Sequence, residues 1–472
     1  MARSRRPATH AALPEALLAQ LADRLEGGTQ DFLRAMGEPP PTSIRLNPDK
    51  PFHMGQEAEV VAWCTHGRYL PERPAFTFDP LLHAGAYYVQ EASSMFLERA
   101  VHAIGPWRDR TLALDMCASP GGKSTHLRSL LPKDALLVAN EVEPSRRQAL
   151  QENLWKWGGW NVVITGAPPA AFLDLGELFD LVLVDAPCSG EGMFRKDPFA
   201  REQWNPSLVD RCERVQREIL PHAWELVAPG GHLIYSTCTW EERENEDRIA
   251  SLVALGAIPI DIPDGGSFGI ERTISNGAIG HRFYPHRVRG EGFFMGVVKK
   301  PGGRTVHHPP VPHTPQQALS TWFRCAQHLV EVDGVQHATD PVWAAVVERI
   351  SSSVRNVIPG LPVAEAKGGS WRPHPALALN GLLDRSAFPE VPLDHDTAIA
   401  YLKGQALPAV DARGTALATH RGLGLGWLQG AGSRWNNKWP NAWRIRGHAP
   451  GAPLVSWSAH DERGAGTGVP HG

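Results

Sequence analysis

Short apolar runs alternate with amphipathic stretches through the middle of the chain. The runs are TLALDM (111–116), LLVANEVEP (136–144), NVVITG (161–166), FDLVLVDAP (179–187), GGHLIYSTC (230–238) and GFFMGVVKK (292–300). Helical patterns lie between several of them, most clearly SRRQALQENLWKW (145–157). Buried strands that alternate with helices are typical of a mainly parallel sheet with right-handed crossovers. We therefore predict an α/β domain over residues 86–300, which YYVQEASSMFLERAV (87–101) opens as a docking helix.

The flanking segments follow different patterns. LPEALLAQLADRL (13–25) and EAEVVAWC (57–64) have helical spacing, and a short strand-like piece between them carries Arg45, Asn47 and Lys50. PGGRTVHHPPVPHTPQ (301–316) is rich in proline and lacks apolar periodicity. The predicted organisation is a small α/β or helical N-terminal module over 1–85, the α/β domain over 86–300, a linker over 301–316, a strand-rich region over 317–450 and a flexible tail over 451–472.

Composition narrows the class of protein. The 472 residues include 47 Lys+Arg and 50 Asp+Glu, which gives a formal net charge of −3. This balance excludes a uniformly basic coat but permits local basic patches. No apolar run reaches the ~18 residues of a membrane span, and no apolar secretory segment follows the basic N-terminus. We expect a cytoplasmic monomer without membrane contact, although the basic N-terminus is also compatible with a transit peptide.

The six cysteines form no CxxC pair, so we predict neither a disulfide framework nor a metal site. A single cysteine is usually a small buried apolar residue, and this interpretation is given to Cys64, Cys212 and Cys325. Cys188 and Cys238 differ, because each ends a predicted strand of the α/β domain. The carboxyl ends of parallel strands meet at one edge of the sheet, where ligands bind.

A glycine-rich turn follows the first predicted strand. Two glycines let the backbone approach a ligand, and the helix that follows offers free N–H groups. A tight turn without a ligand is the alternative. Glu141, at the end of the next strand, lies where nucleoside-binding sheets place a carboxylate for the ribose hydroxyls. The turn is neither GxGxxG nor a Walker loop, which favours S-adenosylmethionine over NAD as an adenosine-containing cofactor.

Two thiols and a carboxylate at one edge suit a particular chemistry. The C5 atom of a pyrimidine is a poor nucleophile, but attack of a thiolate on C6 turns the ring into an enamine that can take a methyl group. Asp185 is placed to bond N3, and a second thiol can assist release of the product. Spacing alone cannot decide which thiol attacks.

Together, the motifs CASPGGKST, DAPCSGEGMFRKDP, YSTCT and RFYPHRVRGEGFF resemble the Sun/Nop family of RNA (cytosine-5) methyltransferases. The resemblance covers about 40–300 and implies a Rossmann-like class I methyltransferase domain that uses S-adenosyl-L-methionine. The catalytic residues that it implies are Cys238 as nucleophile, Cys188 as release thiol, Asp185 and Lys123. The cofactor contacts that it implies are Cys117, Ala118, Ser119, Pro120, Gly121, Gly122, Lys123, Glu141 and Asp185. The family's acidic residue near adenine is missing from TGAPPAAF (165–172), so no residue is assigned there.

The segment LGLGWLQGAGSRWNNKWPNAWRI (423–445) resembles the PUA-like RNA-binding extension of bacterial RsmF-type ribosomal RNA methyltransferases. Small-subunit ribosomal RNA is therefore the expected substrate and partner, with transfer RNA as the alternative. The sequence also permits a catalytically idle assembly factor or a methyltransferase that acts on nitrogen. The predicted RNA contacts are the basic stretch 281–289, Arg195, Lys196, Arg434, Lys438, Arg444 and Arg446, while some of the tryptophans form a core.

Overall fold

The computed structural model describes residues 13–25, 27–50, 52, 54, 58–107, 110–303, 317–447 and 455–457. The described strands form four sheets, which belong to an N-terminal unit, a large central unit and two C-terminal units. None of the helices in these ranges has both the length and the apolar character needed to cross a membrane.

The N-terminal unit combines helices with a small antiparallel sheet, in which β1 pairs with both β2 and β3. Its elements are α1 Glu15–Arg24, α2 Thr29–Gly37, β1 Thr42–Leu46, β2 Gly67–Leu70, α3 Pro80–His83 and β3 Tyr87–Val89. The prediction of a helix at 57–64 is wrong for the described residues 58–64, which form turns and one isolated bridge. Val61 and Trp63 are buried while Val60 is half exposed, so buried and exposed side chains alternate along this segment.

A mixed sheet of nine strands forms the centre of the molecule, in the order β10-β11-β12-β8-β7-β4-β5-β6, with β9 beside β12. The elements of this unit are α4 Leu97–Ala103, β4 Leu112–Asp115, α5 Gly122–Leu130, β5 Leu136–Asn140, α6 Pro144–Trp157, β6 Val162–Thr165, β7 Phe179–Asp185, α7 Pro198–Gln203, α8 Pro206–Glu225, β8 Val227–Thr237, α9 Glu246–Ala254, β9 Ile258–Ile260, β10 Glu271–Ser275, β11 Ala278–Phe283 and β12 Phe293–Lys299. Strands β4 to β8 pair in parallel, and the later strands pair antiparallel. The predicted α/β, Rossmann-like class is confirmed.

Alternate residues of the parallel strands face two separate cores. Leu112 and Leu114 join a cluster with Trp224 of α8, whereas Ala113 joins a cluster with Leu127 of α5 and Leu150 of α6. Successive side chains of a strand point to opposite faces, so each run of apolar residues buries both sides of the sheet. The apolar runs are continuous for this reason.

The C-terminal part contains two sheets, in the orders β13-β14-β15-β16 and β17-β19-β20-β21-β18. Its elements are β13 His328–Val332, β14 Val335–Thr339, α10 Ala344–Ser353, β15 Leu361–Lys367, β16 Ser370–Pro373, α11 Pro375–Ala378, β17 Glu390–Pro392, α12 His395–Leu402, β18 Leu407–Ala412, β19 Thr415–His420, β20 Leu423–Gly430 and β21 Gly432–Asn437. Trp343 and Ile350 join the core of the central sheet, so this part packs on the central unit.

The predicted linker and the predicted tail fall mainly outside the described residues. Of the linker, 304–316 lies outside them. Of the tail, only 455–457 is described, and these residues depart from the expectation of flexibility. Val455 is buried, and Trp457 Nε1 donates a hydrogen bond to Asp79 of the N-terminal unit.

Candidate active site

The carboxyl ends of three neighbouring parallel strands surround one cavity of about 420 Å3. The glycine-rich turn follows β4, Asp185 ends β7, and Cys238 follows β8. Asp185 pairs in register with Ser236, so Cys238 lies only two residues beyond the position opposite the carboxylate. The predicted site residues that line the cavity are Cys117, Ala118, Ser119, Pro120, Gly122, Lys123, Asp185 and Cys238.

The two predicted catalytic thiols are in contact. Their Sγ atoms are 3.2 Å apart, and the backbone N–H of Cys238 donates to Cys188 Sγ at 3.3 Å. The contact with Cys238 and burial together raise the pKa of Cys188 well above its ordinary value. Cys188 therefore keeps its proton. It is absent from the cavity wall to which Cys238 belongs, so Cys238 is the thiol that a ligand in the cavity meets.

An ion pair lies beside the thiols. Lys123 Nζ is 2.7 Å from Asp185 Oδ2, and Ser236 Oγ donates to Asp185 Oδ1 at 2.8 Å. Burial lowers the pKa of Lys123, but attraction and hydrogen bonding to Asp185 outweigh burial, so the pKa is raised overall. The pair places one ammonium and one carboxylate inside the cavity.

The glycine-rich turn forms the opposite wall. Gly121 has φ +109°, a conformation that only glycine adopts without strain, and it precedes the first turn of α5. A Cβ on Gly122 would lie 3.4 Å from the Tyr88 ring, so the ring packs directly on the backbone. Asn153 Nδ2 donates to the carbonyl of Pro120 at 2.8 Å and holds the turn from α6.

This cavity fits the methyl donor expected from the sequence. Its volume falls in the ~300–1,000 Å3 range of small-molecule pockets. The N-terminus of α5 offers unpaired N–H groups to a carboxylate, and Asp185 offers negative charge to an ammonium or sulfonium. The cofactor supplies a methyl group on a sulfonium when bound, and residues 117–123 would hold it.

Glu141 and Gly121 do not line the cavity. Glu141 is buried directly after β5, where its Oε1 accepts the backbone N–H of Glu143 and its Oε2 is 3.5 Å from Arg146. Its contact with the ribose thus stays a prediction from position along the chain. Gly121 shapes the turn, and its neighbours form the wall.

Two buried carboxylates that the sequence pattern did not reveal hold the loop after Cys188. Glu244 accepts hydrogen bonds from the backbone N–H of Ser189 at 3.0 Å and from Gln216 Nε2 at 2.8 Å. Glu191 accepts from Thr239 Oγ1 and from the backbone N–H of Trp240. Each carboxylate ties the Cys188 loop to the Cys238 loop or to α8. Glu191 lies within the motif DAPCSGEGMFRKDP, but neither it nor Glu244 can be told from the charged residues that are common beside helices.

The predicted RNA contacts after Cys188 divide in two. Arg195 is buried, donates to Glu291 Oε2 at 2.9 Å and contacts the carbonyl of Ala35. The expectation that Arg195 holds RNA is therefore wrong, because its donors are used within the protein. Lys196 is exposed and lines the cavity mouth.

The basic stretch 281–289 divides in the same way. His281 and Arg282 lie in β11 and are buried, and Arg282 forms an ion pair with Glu246. Their predicted RNA contact is wrong for this reason. His286, Arg287 and Arg289 instead line a groove of about 1,010 Å3. The groove also contains Lys196, so it leads to the cavity that holds Cys238.

The remaining predicted residues lie away from the cavity. Cys64 is buried, Cys212 is half buried and Cys325 is exposed, so the core interpretation is wrong for Cys325. Arg45, Asn47 and Lys50 are buried in the N-terminal unit, where their side chains bind backbone or side-chain oxygens. The basic residues of the C-terminal strands are exposed at Arg434, Lys438 and Arg446 and half buried at Arg444. Trp427, Trp439 and Trp443 are core residues, as predicted.

Solved structures share the central fold. The crystal structure of NSun6 from Pyrococcus horikoshii superposes with a TM-score of 0.51 at 19% identity, over 61% of this chain and 98% of that chain. Sheet order and site together define a class I methyltransferase that uses S-adenosylmethionine.

Family profiles match most of the chain in three parts. They are described as 16S rRNA methyltransferase RsmB/F (residues 102–299), the N-terminal domain of 16S rRNA methyltransferase RsmF (13–92) and the methyltransferase RsmF PUA domain (388–445). Proteins named ribosomal RNA small subunit methyltransferase F are similar over nearly the whole length. The one from Shewanella loihica is 31% identical over 82% of this chain and 84% of its own. The one from Citrobacter koseri is 30% identical over 90% and 95%. The chain belongs to this RsmF-type family of the Sun/Nop RNA methyltransferases.

Proposed function

We propose that this enzyme methylates C5 of cytidine in small-subunit ribosomal RNA through a covalent bond between Cys238 Sγ and C6. The observation that carries the proposal is the pair of touching thiols, of which one lines the cavity and the other stands behind it. The names of the curated relatives support small-subunit ribosomal RNA as the substrate.

The reaction needs a nucleophile, a proton acceptor and a stabilised ring. Cys238 attacks C6 as a thiolate, the C5–C6 double bond opens, and C5 becomes nucleophilic enough to take the methyl group. A base then removes the C5 proton. The double bond forms again, the C6–S bond breaks, and Cys238 leaves as a thiolate. Covalent catalysis divides one difficult step into easier ones.

The ion pair stabilises the ring during attack. Electron density moves onto N3 as the thiolate adds to C6. Lys123 keeps a proton within 2.7 Å of Asp185, so the pair can direct a hydrogen bond towards N3 at no cost in reorganisation. Both side chains line the cavity, which is where the ring must lie to meet Cys238.

Cys188 suits product release. Its proton is held at neutral pH, and its Sγ lies 3.2 Å from the sulfur that must leave C6. It can donate a hydrogen bond to the departing thiolate. This is the same division of roles that the family resemblance implies.

The RNA reaches the site through the basic groove. Lys196 lines both the groove and the cavity. Arg287 and Arg289 line the groove, where their exposed side chains pair with carboxylates of the protein and can exchange these partners for phosphates. A stacked base cannot reach Cys238 within a cavity, so the target nucleotide must leave its helix. The substrate is therefore a loop or an opened helix.

One assay tests the proposal. The protein is incubated with labelled S-adenosylmethionine and small-subunit or transfer RNA, and 5-methylcytidine is mapped by mass spectrometry. We expect label at cytidine C5 in ribosomal RNA, and none after Cys238→Ala. Absence of label with the unaltered protein would support a catalytically idle factor. Label on a nitrogen, or label that survives Cys238→Ala but not Cys188→Ala, would contradict the mechanism.

A further inference from the structure

A second cavity, of about 440 Å3, lies where the central unit meets the two C-terminal sheets. It is as large as the catalytic cavity and shares no lining residue with it. Its wall combines Trp155 of α6 with residues of β15, β16, β19 and β20 and of the segment after β21. The central unit and both C-terminal units thus contribute to this cavity.

Aromatic rings form the apolar part of the wall. Trp155 packs edge-to-face against His374, with 5.4 Å between ring centroids, and lies 6.2 Å from Trp443 at a tilt. Trp427 Nε1 donates to the carbonyl of His374 at 2.9 Å, which fixes the His374 segment. The rings are thus held in place by the protein itself. Base-sized aromatic surfaces of this kind bind unpaired nucleotides by stacking.

His374 adds a defined hydrogen-bond donor. Its Nδ1 accepts the backbone N–H of Ala376 at 3.1 Å, so Nε2 carries the ring proton. Burial lowers the pKa of His374 to about 3, so the ring is neutral. Glu365 Oε1 is 3.9 Å from Nε2, which is beyond hydrogen-bond distance. Nε2–H is thus a donor on the cavity wall, and the Gln429 amide is a second polar group there.

Positive charge surrounds the cavity. Lys367, Arg372 and Lys438 are exposed and line it, and Glu365 is the one carboxylate among its lining residues in the described chain. Three cations against one anion favour a phosphate over a carboxylate-rich or neutral surface. The cavity thus combines an aromatic ring that can stack on a base with cations that can bind a phosphate, and a nucleotide carries both groups.

The position of the cavity relates it to the catalytic site. Asn153 of α6 holds the glycine-rich turn, and Trp155 of the same helix lies in the second cavity. Residues two apart are about 200° apart around a helix, and a helix with its side chains is ~10–12 Å wide. One helix therefore separates the two cavities, a span that a few nucleotides of extended RNA can cover.

We propose that this second cavity binds one unpaired nucleotide of the RNA substrate, with its base against the half-buried Trp155 ring and its phosphate at Arg372 and Lys438. The inference rests on the proposed function, because it takes RNA as the substrate. It adds a contact a few nucleotides from the target that fixes which cytidine enters the catalytic cavity.

The test neutralises the two cations by Arg372→Gln and Lys438→Gln in the full-length enzyme. The matched control carries Arg324→Gln and Lys133→Gln, which remove two exposed charges outside this cavity. The probe is a ribosomal RNA fragment that the unaltered enzyme methylates. We expect a higher KM for RNA with kcat within about twofold, because kcat depends on the catalytic cavity. Arg372 and Lys438 share one phosphate, and each phosphate neutralised on a single strand contributes ~0.7 to the slope of log affinity against log salt. We therefore expect a slope shallower by about 0.7.

A second measurement examines the rings. Trp155→Leu should weaken binding by about tenfold through lost stacking, and its melting temperature shows whether the fold survives. Should it not fold, ultraviolet cross-linking of the unaltered enzyme to the fragment decides. Cross-links to peptides that contain Trp155 or Trp443 support the proposal.

Two outcomes overturn this inference: cross-links only elsewhere, or an unchanged salt slope in the Arg372→Gln, Lys438→Gln enzyme. Neither outcome affects C5 methylation by the unaltered enzyme. A failure of methylation itself would instead contradict the proposed function.

Discussion

Cys188 and Cys238 have the same side chain but different surroundings. Cys238 lines the cavity, whereas Cys188 lies behind it, half buried, with a raised pKa. One sulfur is therefore accessible to a ring in the cavity, and the other holds a proton beside it. This difference supports the two proposed roles, between which strand spacing could not decide.

At this scale we expect Cys188→Ala to accumulate a covalent protein–RNA adduct. The variant retains Cys238 for attack but loses the proton donor 3.2 Å from the leaving sulfur. The adduct should appear as a slower band on a denaturing gel. Cys212→Ala, which changes a half-buried cysteine outside the site, should show none. A Cys188→Ala enzyme that turns over without an adduct would contradict the release role.

Lys123→Met should lower kcat by roughly 100-fold, since positioned proton donors contribute about 10²–10⁴. Methionine keeps the apolar stem but removes the ammonium that pairs with Asp185. Lys133→Met, at a side chain 91% exposed, serves as control and should leave kcat unchanged. Initial rates at saturating RNA measure both. A Lys123→Met rate close to that of the control would exclude the pair from catalysis.

At the scale of elements, the apolar runs predicted the parallel strands correctly. A strand that is buried on both faces consists of a nearly continuous run of apolar residues, which is easy to recognise in a sequence. The antiparallel edge was harder to predict. Arg282 in β11 resembles part of a basic surface, but Glu246, 36 residues earlier in the chain, pairs with it. The same holds for Arg195 and Glu291. A charge whose partner is distant in sequence cannot be told from a solvated one by pattern alone.

In the segment at 58–64, the apolar pattern predicted a helix that does not form. Its apolar residues fit a helical spacing, yet Val61 and Trp63 are buried by packing on later segments. Trp63 Nε1 donates to the carbonyl of Ala92 at 2.7 Å. Tertiary contacts of this kind override local preference, and a single sequence does not display them.

Glu244 links the loop after Cys188 to α8, and its titration has a consequence for stability. Burial raises the pKa of Glu244 to about 7 from about 4.5. Between these values the unfolded chain releases a proton that the folded protein keeps, so stability falls as pH rises through this window. Glu244→Gln does not titrate. Its unfolding free energy should therefore fall less between pH 5 and pH 8, by up to about 2.5 kcal/mol.

Urea unfolding at the two pH values measures this difference. Glu225→Gln, at an exposed position late in α8, is the control and should follow the unaltered protein. Equal pH dependence in all three proteins would show that Glu244 is ionised in the folded state throughout the range.

At the scale of the whole molecule, the C-terminal part shares a core with the central sheet. Trp343, Val347 and Ile350 belong to the same buried cluster as Phe172 and Leu175. Trp343 Nε1 also donates to the carbonyl of Asp134 at 2.6 Å. The C-terminal part is thus anchored on the central unit.

Ile350→Ala should destabilise the protein by about 2–5 kcal/mol, the usual range for a buried side chain cut to alanine. Because the cluster joins two units, we expect one shifted unfolding transition, followed by circular dichroism and by tryptophan fluorescence together. Ser352→Ala, at an exposed position on the same helix, should shift it little. Two separate transitions would show that the C-terminal part unfolds on its own.

The central claim is that Cys238 forms the bond to C6, and trapping that bond tests it most directly. Ribosomal RNA that carries 5-fluorocytidine at the target has no C5 proton to lose after methyl transfer, so the adduct cannot resolve. The trapped complex is digested, and the modified peptide is identified by mass spectrometry. The account predicts a methylated fluorocytidine on the peptide that contains Cys238. The same nucleotide on the peptide that contains Cys188, or no trapped complex from an enzyme that methylates normal RNA, would contradict it.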